Sequence, residues 1–565
     1  MSAILSADDL NDFISPGVAC IKPVETLPPQ PLPPSSSTYE VLREDNLPAA
    51  ALPPAEISLT DCLACSGCVT SAEAVLVSLQ SHNEVLANLS SRPSDDTFVA
   101  LISPQSRASI ATAYGVSEDV AGWMIDWLLC TDEGIGRNGG RVFDAVLDTN
   151  AVQDVALHYA AEEVFASIQR ADGGGGAKKR PILTSSCPGF VCYLESTQPL
   201  LIPHLSSLKS PQAILATAVK SLLYRNSPRG VGGIFSVGVM PCFDKKLEGA
   251  RKELTSEAWM GTGAGEPAVR DLDCVITTRE LISLAQALGV DFGSLPKTPP
   301  PLSRKSRPLK IAGGEMDALT GLTEPPPLPL PNVGISDRNT LDPGTSGGYL
   351  LHIITRFLEE FPTSLVRVEK GRNADTIDYV IYQPSSSSSP SPERVIARLA
   401  RCYGFRNIQN LVRRLKPNKP RLLPRFGGKP VAVRKRPTAE RADATGGEYT
   451  YVEVMACPGG CTNGGGQVKF NDEIISSSAA TATQKEWLLK IDEAYYSPSR
   501  QGEEELARAE GRVEAFVKNW EKTTGIDSEK LLFTRYRQVE NDIGGRLGAK
   551  EVTAIELASK DGGGW

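Results

Sequence analysis

The sequence predicts an α/β protein with parallel, doubly wound sheets, and three observations support this prediction. Short apolar and β-branched segments alternate with helical patterns from residue 97 onward, and repeated βα units of this kind are typical of parallel sheets. The apolar fraction of 41% is sufficient for at least one sizeable core. Three of the strand-like segments also end beside a cysteine and a proline, at the edge where doubly wound sheets bind ligands.

Composition and charge exclude several classes of protein. The formal net charge of −8 disfavours a general nucleic-acid binder. The N-terminus carries Asp8 and Asp9 where a targeting peptide would carry basic residues, and no apolar run approaches the roughly 18–20 residues of a membrane helix. We therefore expect a soluble protein of the cytosol or the nucleus, with no membrane partner. There, the twelve cysteines are expected to bind metals, act in redox chemistry or fill the core rather than form disulfides.

The N-terminal part carries a cysteine triplet. Cys62, Cys65 and Cys68 have the C-x-x-C-x-x-C spacing that begins a bacterial ferredoxin run. The place of the fourth cysteine of such a run holds Ala72, so a fourth ligand must come from elsewhere. Cys20 is the only cysteine upstream, and a Pro/Ser-rich linker separates it from the triplet. Three thiols at this spacing rarely serve packing, so the sequence predicts a metal or cluster site here.

Residues 97–535 are predicted to contain most of the regular structure. The predicted strands cover 98–104, 142–146, 181–184, 233–239, 274–276, 379–382 and 449–454. One predicted helix begins within 107–114, and the others cover 154–169, 211–224, 279–288, 347–361, 484–494 and 503–523. A further helix is expected to follow the cysteine triplet, to about Ala87.

Three segments interrupt this pattern. Residues 296–335 are rich in proline and residues 383–393 in proline and serine, which predicts surface insertions or disordered links. Residues 413–436 carry ten Lys and Arg side chains among prolines and glycines. We interpret this basic segment as a solvated insertion, and a nucleic-acid or nuclear-import patch is the alternative.

Four further cysteines follow three of the predicted strands: Cys187, Cys242, Cys457 and Cys461. Because doubly wound sheets bind ligands beyond the carboxyl ends of their strands, we expect these thiols to meet. On ligand type alone, four thiolates suit a cubane iron–sulfur cluster or a zinc ion. Structural zinc sites usually combine two local pairs, whereas only Cys457 and Cys461 form one here, so the pattern favours the cluster. The glycines at 464–466 would let the backbone approach something bulky.

The remaining cysteines have simpler explanations. A lone cysteine beside a strand or helix is usually a small buried hydrophobe, and we interpret Cys130, Cys274 and Cys402 in this way. Cys192 follows Cys187 closely in an apolar setting, and we interpret it as a decoy or a reserve ligand.

Three motifs taken together resemble the three signatures of the iron-only hydrogenases. The motifs are Thr-Ser-Ser-Cys-Pro-Gly-Phe at 184–190, Met-Pro-Cys-Phe-Asp-Lys-Lys-Leu-Glu at 240–248, and Glu-Val-Met-Ala-Cys-Pro-Gly-Gly-Cys-Thr-Asn-Gly-Gly-Gly at 453–466. The segment 273–281 is also similar to a hydrogenase segment, so the resemblance covers about 97–290 and 345–535. It implies an iron-only-hydrogenase-like fold, with two doubly wound lobes, a cluster between them and a small N-terminal cluster-binding segment.

Two departures separate the chain from the hydrogenase enzymes. Hydrogenases have Cys-Cys-Pro in the first signature, and its first cysteine relays protons. The chain has Ser186 there, whose hydroxyl is too weakly acidic for that role. The two-cluster ferredoxin domain of many hydrogenases is also missing, and Cys20 with the triplet stands in its place. This N-terminal pattern, with residues 9–16 ahead of it, resembles the hydrogenase-like, Nar-type factors of the eukaryotic cytosolic iron–sulfur assembly machinery.

The resemblance to the Nar-type family implies two 4Fe–4S clusters. One would be held by Cys20, Cys62, Cys65 and Cys68. The other would be held between the two lobes by Cys187, Cys242, Cys457 and Cys461. The first site lies beside a linker and is expected to be the more labile of the two.

The same resemblance implies a role other than catalysis. Members of the family link early cluster scaffolds to a late targeting complex that hands clusters to cytosolic and nuclear apoproteins, so we expect both as partners. Trp565 resembles the aromatic C-terminal tail by which clients and adaptors dock on that complex. Glycines replace the acidic residue that usually precedes it.

Two alternative functions stay open. An iron-only hydrogenase, producing or consuming hydrogen at a diiron subsite bridged through Cys461, fits Lys245 but not Ser186. A structural zinc protein is the other alternative. The predicted organisation is an N-terminal segment with the first cluster site (1–90), a first lobe (97–295), a Pro-rich insertion (296–345), a second lobe (346–535) with insertions at 383–393 and 413–447, and a C-terminal tail (536–565).

Overall fold

A computed structural model of the chain describes residues 79–169, 181–261, 268–301, 344–371, 373–384, 393–416, 449–475, 483–496 and 506–538, together with six two-residue strands. We number the strands β1 to β15 in chain order. The two-residue strands form three antiparallel pairs: β1 (Cys20–Ile21) with β2 (Glu56–Ile57), β8 (Lys310–Ile311) with β9 (Gly314–Glu315), and β13 (Leu422–Leu423) with β14 (Val431–Ala432). The predicted insertions at 296–345, 383–393 and 413–447 fall largely outside the described residues.

The first large sheet is fully parallel. Its strands are β3 (Thr97–Ile102), β4 (Ala145–Asp148), β6 (Ile234–Met240) and β7 (Cys274–Thr277), in the spatial order β4-β3-β6-β7. Strand β6 is buried along its whole length, which explains why it reads as an unbroken apolar run. Strand β3 pairs with β4 on one side and with β6 on the other. The direction in which strands are added to the sheet therefore reverses at β3, and the switch point lies between β3 and β6.

The second large sheet is mixed. Its strands are β5 (Ile182–Leu183), β10 (Leu365–Lys370), β11 (Thr376–Gln383), β12 (Arg394–Tyr403) and β15 (Tyr451–Met455), in the order β10-β11-β12-β15-β5. The pairs β12–β15 and β15–β5 are parallel, whereas β10, β11 and β12 pair antiparallel. Two short connections join β10, β11 and β12, and such connections cannot make the crossover that parallel strands need. The prediction of two doubly wound lobes is therefore wrong for this half of the second sheet.

Strand β5 belongs to the second sheet, although it lies between two strands of the first sheet in sequence. It precedes β6 in sequence, yet it pairs with β15, with Ile182 opposite Tyr451 and Leu183 opposite Val452. Sheet membership therefore does not follow the order of the strands along the chain. One cluster of buried side chains, including Val99 of β3 and Leu399 of β12, contacts both sheets, so they pack as one body.

The helices surround the two sheets. Their bounds are His82–Ser91, Pro104–Tyr114, Glu118–Cys130, Gln153–Gln169, Pro188–Thr197, Pro211–Leu223, Asp244–Gly249, Ser256–Met260, Thr278–Ala287, Tyr349–Glu360, Phe405–Leu415, Gln484–Tyr495, Leu506–Thr524 and Ser528–Leu532. Sequence patterns located eight of these fourteen helices. They missed Glu118–Cys130, Pro188–Thr197, Asp244–Gly249, Ser256–Met260, Phe405–Leu415 and Ser528–Leu532, as well as the strands β10 and β12. Among the described helices, none has the length and apolar character needed to cross a membrane.

Candidate metal centre between the two sheets

Four cysteines lie just beyond the carboxyl ends of three strands. Cys187 follows β5 and Cys457 with Cys461 follows β15, both in the second sheet, whereas Cys242 follows β6 of the first sheet. Cys187 and Cys457 are buried, and Cys242 and Cys461 are partly exposed. The sequence therefore identified a set of thiols that the fold places between the two sheets.

Direct hydrogen bonds join the three motifs that carry these cysteines. The backbone amide of Ala456 donates to Cys187 Sγ at 3.3 Å, which joins the first motif to the third. The amide of Gly466 donates to the carbonyl of Pro241 at 2.9 Å, which joins the third to the second. The ammonium of Lys245 donates to the carbonyl of Ser186 at 3.1 Å, which joins the second to the first. The site is thus closed as a ring of contacts.

The thiols lie within electrostatic reach of one another. Burial raises the pKa of Cys187 to about 12, with further increases from Asp244 and Cys461. Burial also raises the pKa of Cys457 well above its ordinary value, and the nearby sulfurs of Cys242, Cys461 and Cys187 add to this rise. Without a bound cation such thiols stay protonated at neutral pH. The donor set therefore fits a positively charged metal group, which would let the sulfurs ionise.

Charged side chains flank the thiols on one short helix, Asp244–Gly249. Asp244 is buried, and one of its carboxylate oxygens lies only 2.5 Å from where a Cβ on Gly189 would sit. Burial opposes the charge of Lys245, but its contact with Glu248 at 2.7 Å outweighs burial and raises the pKa of the lysine. Asp244 and the Lys245–Glu248 pair thus bring both signs of charge to the site.

The glycines after Cys461 pack the backbone of the third motif against the second. A Cβ on Gly464 would lie 2.2 Å from the carbonyl oxygen of Pro241, and one on Gly466 would lie 2.5 Å from Cγ2 of Thr277. The bulky neighbour that the sequence predicted for these glycines is therefore, in the described structure, the end of the first sheet. Gly465 differs, because its Cβ would meet nothing closer than 3.6 Å.

A segment that sequence reasoning missed supports the Cys457–Cys461 turn. Thr345 Oγ1 donates to the carbonyl of Gly459 at 3.3 Å, and Ser346 Oγ accepts from the amide of Cys461 at 3.2 Å. The sequence pattern showed only that a helix begins near Gly347. The sequence signal available for this segment was the pair of hydroxyl side chains, Thr345 and Ser346, followed by two glycines and an apolar helix.

The structure describes only some of the other residues that the sequence analysis singled out. Cys62, Cys65 and Cys68 lie outside the described residues, as does Trp565, and only the backbone of Cys20 is described, opposite Ile57 in the β1–β2 pair. Cys130, Cys274 and Cys402 are buried, as expected of core cysteines. Cys192 packs beside Phe243 and Leu247.

The described residues contain no group of three or more His, Cys, Asp or Glu side chains spaced to hold a single metal ion.

Comparisons with known proteins agree with this architecture. The family model of the iron-only hydrogenase large subunit, C-terminal domain, matches residues 96–465. The chain is 46% identical over 603 aligned residues to the cytosolic Fe–S cluster assembly factor NAR1 of Sclerotinia sclerotiorum, and 44% identical over 630 to nar1 of Aspergillus fumigatus; all of both chains is covered in each case.

Solved [FeFe]-hydrogenases share the fold. HydA(ΔEFG) matches with a TM-score of 0.50 and 22% identity, and apo HydA1 of Chlamydomonas reinhardtii with a TM-score of 0.51 and 21% identity. Each match covers 81% of this chain and 99% of the hydrogenase chain. At this level of identity the likeness concerns the fold alone.

Proposed function

The chain belongs to the family of cytosolic Fe–S cluster assembly factors that includes the fungal NAR1 proteins, and we propose that it carries iron–sulfur clusters for this machinery without catalysing a hydrogenase reaction. The observation that carries the proposal is the set of four cysteines between the sheets, in a chain whose first motif has Ser186 before Cys187.

We assign the inner cluster to four ligands: Cys187, Cys242, Cys457 and Cys461. A cubane 4Fe–4S cluster takes one thiolate per iron, so the number and type of donors fit. The hydrogen bond from Ala456 to Cys187 and the burial of Cys187 and Cys457 support this assignment, because donors to sulfur and shielding from water stabilise thiolate-bound clusters. When bound, the cluster supplies reversible one-electron chemistry or serves as cargo.

We assign a second 4Fe–4S cluster to the N-terminal cysteines, Cys20, Cys62, Cys65 and Cys68. The spacing of the triplet supports this assignment, and Cys20 supplies the fourth thiol. The long Pro/Ser-rich linker between Cys20 and Cys62 makes this cluster the more labile of the two.

The partners that this role requires are an early scaffold that supplies clusters and a late targeting complex that receives them, in the cytosol and also in the nucleus. Trp565 is the proposed docking residue for the late complex. A pull-down with full-length protein and with protein lacking Trp565 tests this, and equal recovery of the complex would refute the docking role.

Metal analysis tests the main proposal. Protein purified without oxygen and reconstituted with iron and sulfide should contain about eight irons and about eight sulfides per chain, as two cubane clusters require. Stoichiometric zinc without sulfide would overturn both cluster assignments. The non-catalytic role is tested separately by hydrogen evolution from the same preparation with a strong reductant, and robust gas production would refute it.

A further inference from the structure

We propose that Ser346 is a positioning residue that holds Cys461 in ligand geometry and forms the last link of a hydrogen-bonded chain from the buried carboxylate of Glu453. This inference rests on the proposed function, because it concerns Cys461 as a ligand of the inner cluster. It adds a residue outside the three cysteine motifs to the site.

The first link is the contact between Ser346 and Cys461. Ser346 Oγ accepts the amide proton of Cys461 at 3.2 Å, and the serine is only 6% exposed. A hydroxyl that accepts one hydrogen bond still has its own proton to donate. The Ser346 hydroxyl makes side-chain hydrogen bonds with two groups, the sulfur of Cys461 and the phenol oxygen of Tyr403. Burial raises the pKa of both groups, and these hydrogen bonds oppose that rise.

The second link is Tyr403, which is almost fully buried on β12. Its hydroxyl donates to the carboxylate of Glu453. Because its proton is used in that bond, the phenol oxygen offers lone pairs to Ser346. Tyr403 therefore determines how the proton of Ser346 is divided between a phenol oxygen and a thiolate.

The chain of hydrogen bonds ends at the carboxylate of Glu453, which serves as its anchor because its position is fixed. Glu453 is fully buried on β15, two residues before the end of that strand, and its carboxylate also accepts the amide of Leu350 at 2.6 Å. That amide belongs to the first turn of the helix Tyr349–Glu360, where the helix dipole favours a negative charge. The anchor is thus held by a strand and a helix, not by a loop.

A hydrogen bond donated to a cluster thiolate stabilises its negative charge, and this effect is larger when the cluster has gained an electron. Ser346 should therefore raise the reduction potential of the inner cluster and slow its loss. Removing Tyr403 as the competing acceptor should strengthen the bond to sulfur. Removing the Ser346 hydroxyl should therefore lower the reduction potential, and removing the Tyr403 hydroxyl should raise it. A general loss of packing would not shift the potential in opposite directions.

The test measures the midpoint potential of the inner cluster by electron paramagnetic resonance during a redox titration. Full-length protein carrying Cys62→Ala serves as the background, so that one cluster remains. Ser346→Ala should shift the reduction equilibrium by about threefold to tenfold toward the oxidised cluster, where tenfold corresponds to about 59 mV for one electron. Ser346→Thr keeps the hydroxyl and should restore the potential, and Tyr403→Phe should shift it in the opposite direction.

Thr345→Val is the matched structural control. It removes a neighbouring hydroxyl that is hydrogen-bonded to Gly459 and Thr462 of the same turn but not to Cys461, so its potential should equal that of the background protein. If Ser346→Ala fails to fold, Tyr403→Phe and Ser346→Thr decide the question. Equal potentials in all variants, or equal shifts for Ser346→Ala and Thr345→Val, would overturn the role of Ser346. A background protein without a cluster would instead refute the inner-site assignment.

Discussion

The backbone amide of Ala456 donates a hydrogen bond to the sulfur of Cys187, across 269 residues of sequence. This contact follows from the parallel pairing of β5 with β15, which places the loop after one strand beside the loop after the other. The first and third cysteine motifs therefore lie at one sheet edge before any metal is considered. Cys242 arrives from the first sheet, so the site also bridges the two sheets.

The glycine run offers a sharp test of packing at the site. Gly464→Ala should lower the free energy of unfolding by about 1–3 kcal/mol, because its Cβ would lie 2.2 Å from the oxygen of Pro241. Gly465→Ala is the matched control, and its effect should stay within about 0.5 kcal/mol because the nearest atom is 3.6 Å away. Urea unfolding of both variants measures the difference, and similar midpoints would contradict the described packing.

Cys461 and Cys402 should behave differently when replaced. Cys461→Ala should lose the inner cluster and destabilise the whole fold, since the three motifs would lose their common metal group. Cys402→Ala should keep its iron and lose only the stability of a small buried side chain, because this thiol lies on β12 within the core. Iron analysis measures the cluster content of both variants, and thermal unfolding measures their stability. Unchanged iron and solubility in Cys461→Ala would exclude this cysteine as a ligand.

The N-terminal assignment predicts a fractional loss of iron. Cys62→Ala should remove about half of the iron, because one of two similar clusters would be lost while the inner cluster remains. Anaerobic reconstitution followed by iron and sulfide analysis measures this. Replacing Cys130, a buried core cysteine, controls for the handling of the samples. A loss of all iron in Cys62→Ala would show that the two sites are not independent.

The raised pKa of Cys187 predicts how the metal-free protein responds to pH. The folded state holds the thiol proton up to about pH 12, whereas an unfolded thiol releases it near pH 9.0. Above pH 9.0 the folded state therefore binds more protons, and the free energy of unfolding falls as pH rises. Between pH 8 and pH 10 this thiol alone should account for a loss of about 1 kcal/mol.

Urea unfolding of the metal-free protein at these two pH values measures the effect. Cys187→Ala lacks the thiol and should lose less stability over the same interval. Cluster-loaded protein should also be less sensitive, since ligated sulfurs bind no proton. An identical pH dependence in wild type and Cys187→Ala would contradict the buried, protonated thiol.

Local chemistry allowed much of the site to be predicted. A strand that ends in a Cys-Pro motif can be recognised from the sequence, because apolar runs, prolines and cysteine spacing are properties of short segments. The four thiols between the sheets, and the parallel strands that deliver them, were accessible in this way. So was the departure at Ser186, which requires only the order of residues in one motif.

The remaining features depend on contacts between distant segments. No local pattern shows that β5 pairs with β15 rather than with the first sheet, or that β10, β11 and β12 run antiparallel. The approach of Ser346 to Cys461 spans 115 residues, and the burial of Glu453 against Leu350 spans 103. The sequence by itself thus predicted which thiols bind a metal group and determined which strand ends carry them. The tertiary structure decided which groups surround those thiols, because hydrogen bonds and burial at the site come from segments that only folding brings together.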